Sequence, residues 1–271
     1  MSKDNGFFRL MRIRKLIGHI FRSVWKIWGL TAAYLPVVVL SPLLILLIAF
    51  FPYRYFWYIE RLWAKWILFA MGFRLKRIPK HPDYDPKRQY IIIANHTSMI
   101  DIPVVLAAVN MPVTFVGKAE LARYPVFGYV YRKTNVLVNR RSLESRKKVY
   151  DETEKFVRAG VNIVIFPEGG VPDDTSLILA PFKAGAFRMA IEHKLPVLPL
   201  VLYDDKKRLP YDFFVGGPGK LRVEFLPVIE TEKLKPNDWT DLRDYAYTLI
   251  YNKLAGQDLA DKKLIFQSDL S

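Results

Sequence analysis

Gln89-Tyr90-Ile91-Ile92-Ile93-Ala94-Asn95-His96-Thr97-Ser98-Met99-Ile100-Asp101 is the stretch from which the fold class is read. Residues 89–94 are of strand length and, after Gln89, form an apolar run centred on three β-branched isoleucines, which predicts a buried strand. After a short polar turn an apolar pattern resumes and predicts a helix over 98–109. The same texture recurs downstream. Strands are expected at 113–117, 136–139, 161–166, 197–203 and 221–227, and helices at 142–158, 183–193 and 239–254. Strand and helix in alternation predict an α/β fold: a mostly parallel sheet flanked by helices.

Within the first strand–helix unit His96 falls at the carboxyl end of the strand, where open α/β sheets collect their ligands. With Ser98 as N-cap, Asp101 takes the third helical position, and its carboxylate can turn back toward the loop that carries His96. A carboxylate on one ring nitrogen fixes the tautomer and stabilises the imidazolium, so that the other nitrogen can take a proton from a hydroxyl. The same residues admit a plainer reading, in which Asp101 only completes a capping box with Ser98 and His96 is a loop residue.

Other chemistries find little support. The chain has no cysteine, which removes thiolate nucleophiles, Cys-ligated zinc, iron–sulfur clusters and disulfide scaffolds. The histidines stand at 19, 81, 96 and 193, without metal-ligand spacing around His96. Ser98 is close to His96, but no Gly-x-Ser-x-Gly elbow is present. Gly216-Gly217-Pro218-Gly219-Lys220 lacks both the first glycine and the hydroxyl residue of a phosphate loop and reads as a turn between strands.

The segment resembles the glycerolipid acyltransferase family, whose first motif is Asn-His-four residues-Asp. Three further blocks follow in the family's order. Gly117-Lys118-Ala119-Glu120-Leu121, Pro125-Val126-Phe127-Gly128 and Val136-Leu137-Val138-Asn139-Arg140 resemble its second block. Ile165-Phe166-Pro167-Glu168-Gly169, followed by Pro181-Phe182-Lys183-Ala184-Gly185-Ala186, resembles its third. Leu195-Pro196-Val197-Leu198-Pro199-Leu200 is similar to its fourth. The likeness extends over roughly residues 90–203.

The resemblance implies His96 and Asp101 as catalytic residues and Lys118, Arg140, Glu168, Gly169 and Lys183 as substrate-binding residues. Lys118, Arg140 and Lys183 would supply positive charge for an acceptor phosphate; taken alone, each is an ordinary surface cation. Glu168 would position the acceptor's glycerol part or brace its own loop, and Gly169 would permit close backbone approach, although Pro167-Glu168-Gly169 also satisfies simple turn chemistry. One departure stands out. Val171 occupies the position of the family's phosphate-binding arginine, so a bidentate guanidinium grip is missing and the acceptor's identity is open.

The rest of the chain places this unit in context. Its 271 residues allow a substantial core, and a composition 51% hydrophobic and 14% aromatic excludes a disordered polar chain. Lys and Arg number 41 against 26 Asp and Glu, a net +15 that points to anionic lipid, a phosphorylated or acidic-carrier substrate, or nucleic acid. Part of the surplus sits in a leader: residues 1–26 carry Lys3, Arg9, Arg12, Arg14, Lys15, Arg22 and Lys26 against Asp4 alone. From Ile27 to Tyr53 there is no charge at all, a run long enough for a ~30 Å hydrocarbon core. Residues 55–73 then gather Glu60, Arg61 and Lys65 on one helical face among Trp57, Trp63 and Trp66, an interfacial pattern. The alternative is that both segments are core helices. Basic residues on both flanks favour a hairpin or re-entrant anchor, with Pro36, Pro42 and Pro52 as places to bend.

The sequence therefore leads to two units, 1–78 as basic leader and membrane-anchoring helices and 79–271 as an α/β catalytic domain. The resemblance implies an enzyme of phospholipid biosynthesis that moves a fatty acyl group from acyl-CoA or acyl carrier protein to the sn-2 hydroxyl of 1-acylglycerol 3-phosphate, a lysophospholipid. No metal or organic cofactor is implied. Membrane phospholipids are the expected surroundings, on the cytoplasmic face of a bacterial inner membrane. A lyso-aminolipid acceptor is the alternative that Val171 raises. Nucleic acid is not an expected partner, because the aromatics concentrate in the amino-terminal segments rather than among basic surface residues.

Overall fold

The chain enters through three helices, α1 (Lys3–Val39), α2 (Ser41–Phe50) and α3 (Tyr53–Ala70). They belong to a computed structural model that describes residues 3–79, 83–124, 127–138, 143–174 and 176–256. Of the three prolines, Pro36 lies inside α1, whereas Pro42 opens α2 and Pro52 caps α3. The last two mark the bends, because proline is tolerated where a helix begins and its missing N–H would be unpaired anyway. Among the described residues no single helix is long and apolar enough to cross a membrane; Met11–Val39 and Ser41–Phe50 meet that test only as a pair bent by 61°.

The tryptophans that mark these helices in the sequence form helix-to-helix contacts. The indoles of Trp63 and Trp66 donate to the carbonyls of Ala33 and Ala32 at 2.9 and 3.0 Å. In return Trp25 and Trp28 of α1 donate to Met71 and Ala70 at 3.0 and 2.8 Å. One face of α3, through Trp57, Ala64, Ile67 and Leu68, is buried in the core of the α/β unit, while Tyr55, Tyr58, Leu62 and Phe69 stay exposed.

The sheet has seven strands: β1 (Phe73–Ile78), β2 (Ile91–Ala94), β3 (Val113–Lys118), β4 (Val136–Val138), β5 (Asn162–Ile165), β6 (Val197–Leu202) and β7 (Gly219–Phe225). Their order is β1-β7-β6-β2-β5-β3-β4. All neighbours are parallel except β6 and β7. This is the expected mostly parallel α/β sheet. One further strand, β1, extends it at the edge.

Helix α4 (Asp101–Ala108) covers one face together with α3, and α6 (Leu143–Arg158), α7 (Gly185–Glu192) and α9 (Trp239–Leu254) cover the other. Two further helices, α5 (Phe127–Thr134) and the short α8 (Asp205–Arg208), follow β3 and β6. In β2 the pleat sends Ile92 and Ala94 into the first layer and Ile91 and Ile93 into the second. Each of these isoleucines is fully buried and contributes about 1.5–3 kcal/mol relative to exposure. β2 is thus held rigidly between β5 and β6, and the loop that leaves its carboxyl end inherits that position.

Candidate active site

The loop after β2 begins with Asn95, whose buried side chain accepts from the Leu202 amide at 2.8 Å and donates to the Leu202 carbonyl at 2.9 Å. This double bond locks the ends of β2 and β6 together. His96 comes next. Its Nδ1 lies 2.7 Å from Oδ2 of Asp101, and its ring stacks on Phe166, with centroids 4.2 Å apart and planes 17° from parallel. The imidazole is therefore fixed at one edge by a carboxylate and over one face by an aromatic ring.

Helix α4 starts later than the sequence predicts. Ile100 is its N-cap and Asp101 its first residue. The buried Ser98 hydroxyl donates to the Leu209 carbonyl at 2.6 Å and accepts the Ile100 amide at 3.2 Å. Asp101 still turns back onto the loop: Oδ2 accepts the Thr97 and Ser98 amides at 2.6 and 2.9 Å besides facing His96. The main-chain amides of Thr97, Ser98, Ile100 and Asp101 are all engaged inside this loop, so these four do not form an oxyanion hole as they stand.

Glu168, in the loop after β5, is buried and split between two amides. Oε1 accepts the His96 N–H at 2.6 Å and Oε2 the Ala180 N–H at 3.0 Å. Burial raises its pKa, and these two hydrogen bonds oppose the rise. Gly169 has φ +83°, a left-handed conformation, and a Cβ built there would stand 2.4 Å from Lys183 Nζ. The ammonium of Lys183 is thus folded against the glycine next to Glu168, and its own amide donates to the Pro167 carbonyl at 2.9 Å. Lys118 ends β3 on the same sheet edge and is exposed. Arg140 lies outside the described residues.

One residue escapes the sequence reading. Asp205, the first residue of α8, is fully buried, and its carboxyl faces that of Asp101 within hydrogen-bonding contact. The signal was available: an Asp-Asp pair, Asp204-Asp205, directly follows the apolar run of β6 at the sheet's carboxyl edge.

The dyad, its buried carboxyl and the two anchored loops occupy one edge of a mostly parallel sheet, and all of these except Asp205 lie within a single match to known proteins. Residues 75–203 match the family model described as Acyltransferase. That match spans a little under half of the chain. Relatives of the chain include the 1-acyl-sn-glycerol-3-phosphate acyltransferase of Escherichia coli (strain K12), 27% identical over 66% of this chain and 72% of that protein. The 1-acyl-sn-glycerol-3-phosphate acyltransferase alpha of Ovis aries is 28% identical over 69% of this chain but 64% of its own length. The mouse counterpart, at 27% identity, is matched over 57% of its length. Among solved structures, the 1-acyl-sn-glycerophosphate (LPA) acyltransferase PlsC of Thermotoga maritima shares the fold, with a TM-score of 0.70, 18% identity, and 89% of this chain and 97% of that one covered.

Within the matched residues the structure brings His96, Asp101, Glu168, Gly169 and Lys183 together through direct contacts or a shared loop. Lys118 is placed two strands away from β2, beyond β5. Val171, two residues past Gly169, is half-buried.

Proposed function

We propose that the chain is an O-acyltransferase that moves a fatty acyl group from acyl-CoA or acyl carrier protein to the sn-2 hydroxyl of 1-acylglycerol 3-phosphate, giving phosphatidic acid. The observation that carries this reading is the 2.7 Å contact between His96 Nδ1 and Asp101 Oδ2 at the carboxyl end of β2. With Nδ1 held by the carboxylate, Nε2 takes the proton of the acceptor hydroxyl. The hydroxyl oxygen attacks the thioester carbonyl carbon, the tetrahedral adduct collapses, the carbon–sulfur bond breaks, and the leaving thiolate receives the proton from His96. Ser98 takes no part, since its buried hydroxyl is donated to the Leu209 carbonyl.

Glu168 serves this reaction by bracing the loop that bears His96. Lys183, with Lys118 and Arg140, supplies the positive charge for the acceptor phosphate. The amino-terminal helices attach the domain to the cytoplasmic face of a bacterial inner membrane. Exposed Leu16, Ile17, Phe21 and Val24 on α1, with Leu43 and Leu46 on α2, support that attachment, because an apolar surface of this extent needs a covering.

Val171 keeps a second acceptor in view, a lyso-aminolipid, because the arginine that would grip a phosphate bidentately is replaced by an apolar side chain. Purified protein assayed with a panel of lyso-acceptors separates the two. Transfer to 1-acylglycerol 3-phosphate well above transfer to phosphate-free acceptors is the expected result; equal activity without any phosphate sinks this choice of acceptor.

A further inference from the structure

Asp205 stands behind the dyad. It has no exposed surface, and neither of its carboxylate oxygens meets a donor among the described residues. The same is true of Asp101 Oδ1, while Oδ2 of that residue is occupied by His96 and two amides. The two carboxyl groups nonetheless touch through their oxygens. Two ionised carboxylates in contact, with no water-facing surface and no donor to Asp205, would set two like charges side by side in the core, one of them without any hydrogen bond.

Apart from His96 on Asp101, the charged residues around Asp205 bond to other groups among the described residues. Asp204, the residue before Asp205, is turned to the Arg222 guanidinium at 2.8 Å. On α8 itself, Lys206 donates to the Leu177 carbonyl and Arg208 to the Pro218 carbonyl, each at 3.1 Å. From the other elements the titratable groups that face the pair are His96 on the loop after β2, Glu168 after β5 and Tyr211 after α8. A proton between the two oxygens resolves the geometry, and it belongs on Asp205, since Asp101 already accepts from three donors.

We propose that Asp205 is a positioning residue that stays protonated and donates a hydrogen bond to Asp101 Oδ1, so that Asp101 presents one fully bound carboxylate to His96. The proposal rests on the acyltransfer reading given above for its catalytic consequence, but not for the proton itself. Its effect is to fix the carboxylate's orientation from behind, as Thr97 and Ser98 fix it from the side. Burial favours the same state, because it raises the Asp205 pKa, and the neighbouring Asp101 charge raises it further.

The test is infrared spectroscopy of the full-length protein at neutral pH, comparing wild type with Asp205→Asn, alongside turnover of Asp205→Asn and Asp205→Ala. A carbonyl stretch of a protonated carboxylic acid, well above the carboxylate band, should be lost in Asp205→Asn and kept in His96→Ala. The asparagine amide can still donate to Asp101, so Asp205→Asn should hold kcat within about threefold, whereas Asp205→Ala should lose roughly ten- to a hundredfold in kcat with KM unchanged. No difference in the protonated-acid band between wild type and Asp205→Asn would overturn the proposal, as would Asp205→Asn turning over as slowly as an alanine variant lacking the donor. If Asp205→Ala does not fold, the band and the asparagine variant still decide. The band is read without any acyl transfer, so its presence together with absent activity would reject the acyltransfer reading and leave the shared proton standing.

Discussion

Glu168 Oε1 accepts the main-chain N–H of His96 at 2.6 Å, which ties the loop after β5 to the loop after β2. The His96 imidazole is thereby oriented twice, through its ring by Asp101 and through its backbone by Glu168.

Glu168→Gln should therefore do more than remove a charge. Both carboxylate oxygens accept amides, and a glutamine can accept only one of them, so its own NH2 meets the other N–H head on. We expect a loss of about 1–3 kcal/mol of stability, the cost of a buried donor left unpaired, with a fall in kcat. Thermal unfolding and steady-state turnover check this; a variant with wild-type melting and wild-type kcat would show that the brace is dispensable.

Gly169→Ala addresses the cation beside it. At φ +83° a Cβ is strained, and it would stand 2.4 Å from Lys183 Nζ, the movable end of a long side chain. The fold should survive while the ammonium is pushed out of place. KM for the phosphate-bearing acceptor should rise severalfold, with kcat less affected, and Lys183→Ala should reproduce the effect. An unchanged KM in both variants would remove Lys183 from the acceptor site.

A pH dependence of stability follows from Glu60 on α3. Burial raises its pKa from 4.5 to about 7, while a 2.7 Å hydrogen bond from the Tyr53 hydroxyl opposes the rise. The folded state holds the proton more tightly than the unfolded chain, so this group's contribution is complete below 4.5 and is lost as pH rises through about 7. Glu60→Gln should flatten the decline of the melting temperature across that interval. A decline of the same steepness in the variant would place the titrating group elsewhere.

The α/β part of the fold was legible because its central strands are buried on both faces. Ile91 to Ala94 and Val197 to Leu202 are uninterrupted apolar runs, and both form strands at the centre of the sheet. β1 escaped because Phe73, Arg74, Leu75 and Lys76 alternate as an edge strand does, and its basic residues read more readily as the flank of an anchor. The tryptophans of α1 and α3 carry two readings in the sequence, since an indole suits a lipid interface and a helix–helix contact equally; in the structure Trp25, Trp63 and Trp66 each donate to a carbonyl across the helix pair.

The site was legible where chemistry is local. His96 and Asp101 are five positions apart and meet directly, although α4 begins at Asp101 itself and Ser98 bonds to Leu209, a partner 111 residues away that no local pattern announces. Asp205 was not legible for the same reason. Its meeting with Asp101 depends on β6 lying beside β2, a neighbourhood set by the sheet order.

The most direct measurement is turnover of a thioester donor with 1-acylglycerol 3-phosphate by folded His96→Ala and Asp101→Asn. Removing the base, or the carboxylate that fixes its tautomer, should lower kcat by about 10²–10⁴-fold while acceptor binding is retained. Wild-type turnover in either variant would contradict the His96–Asp101 dyad as the source of catalysis.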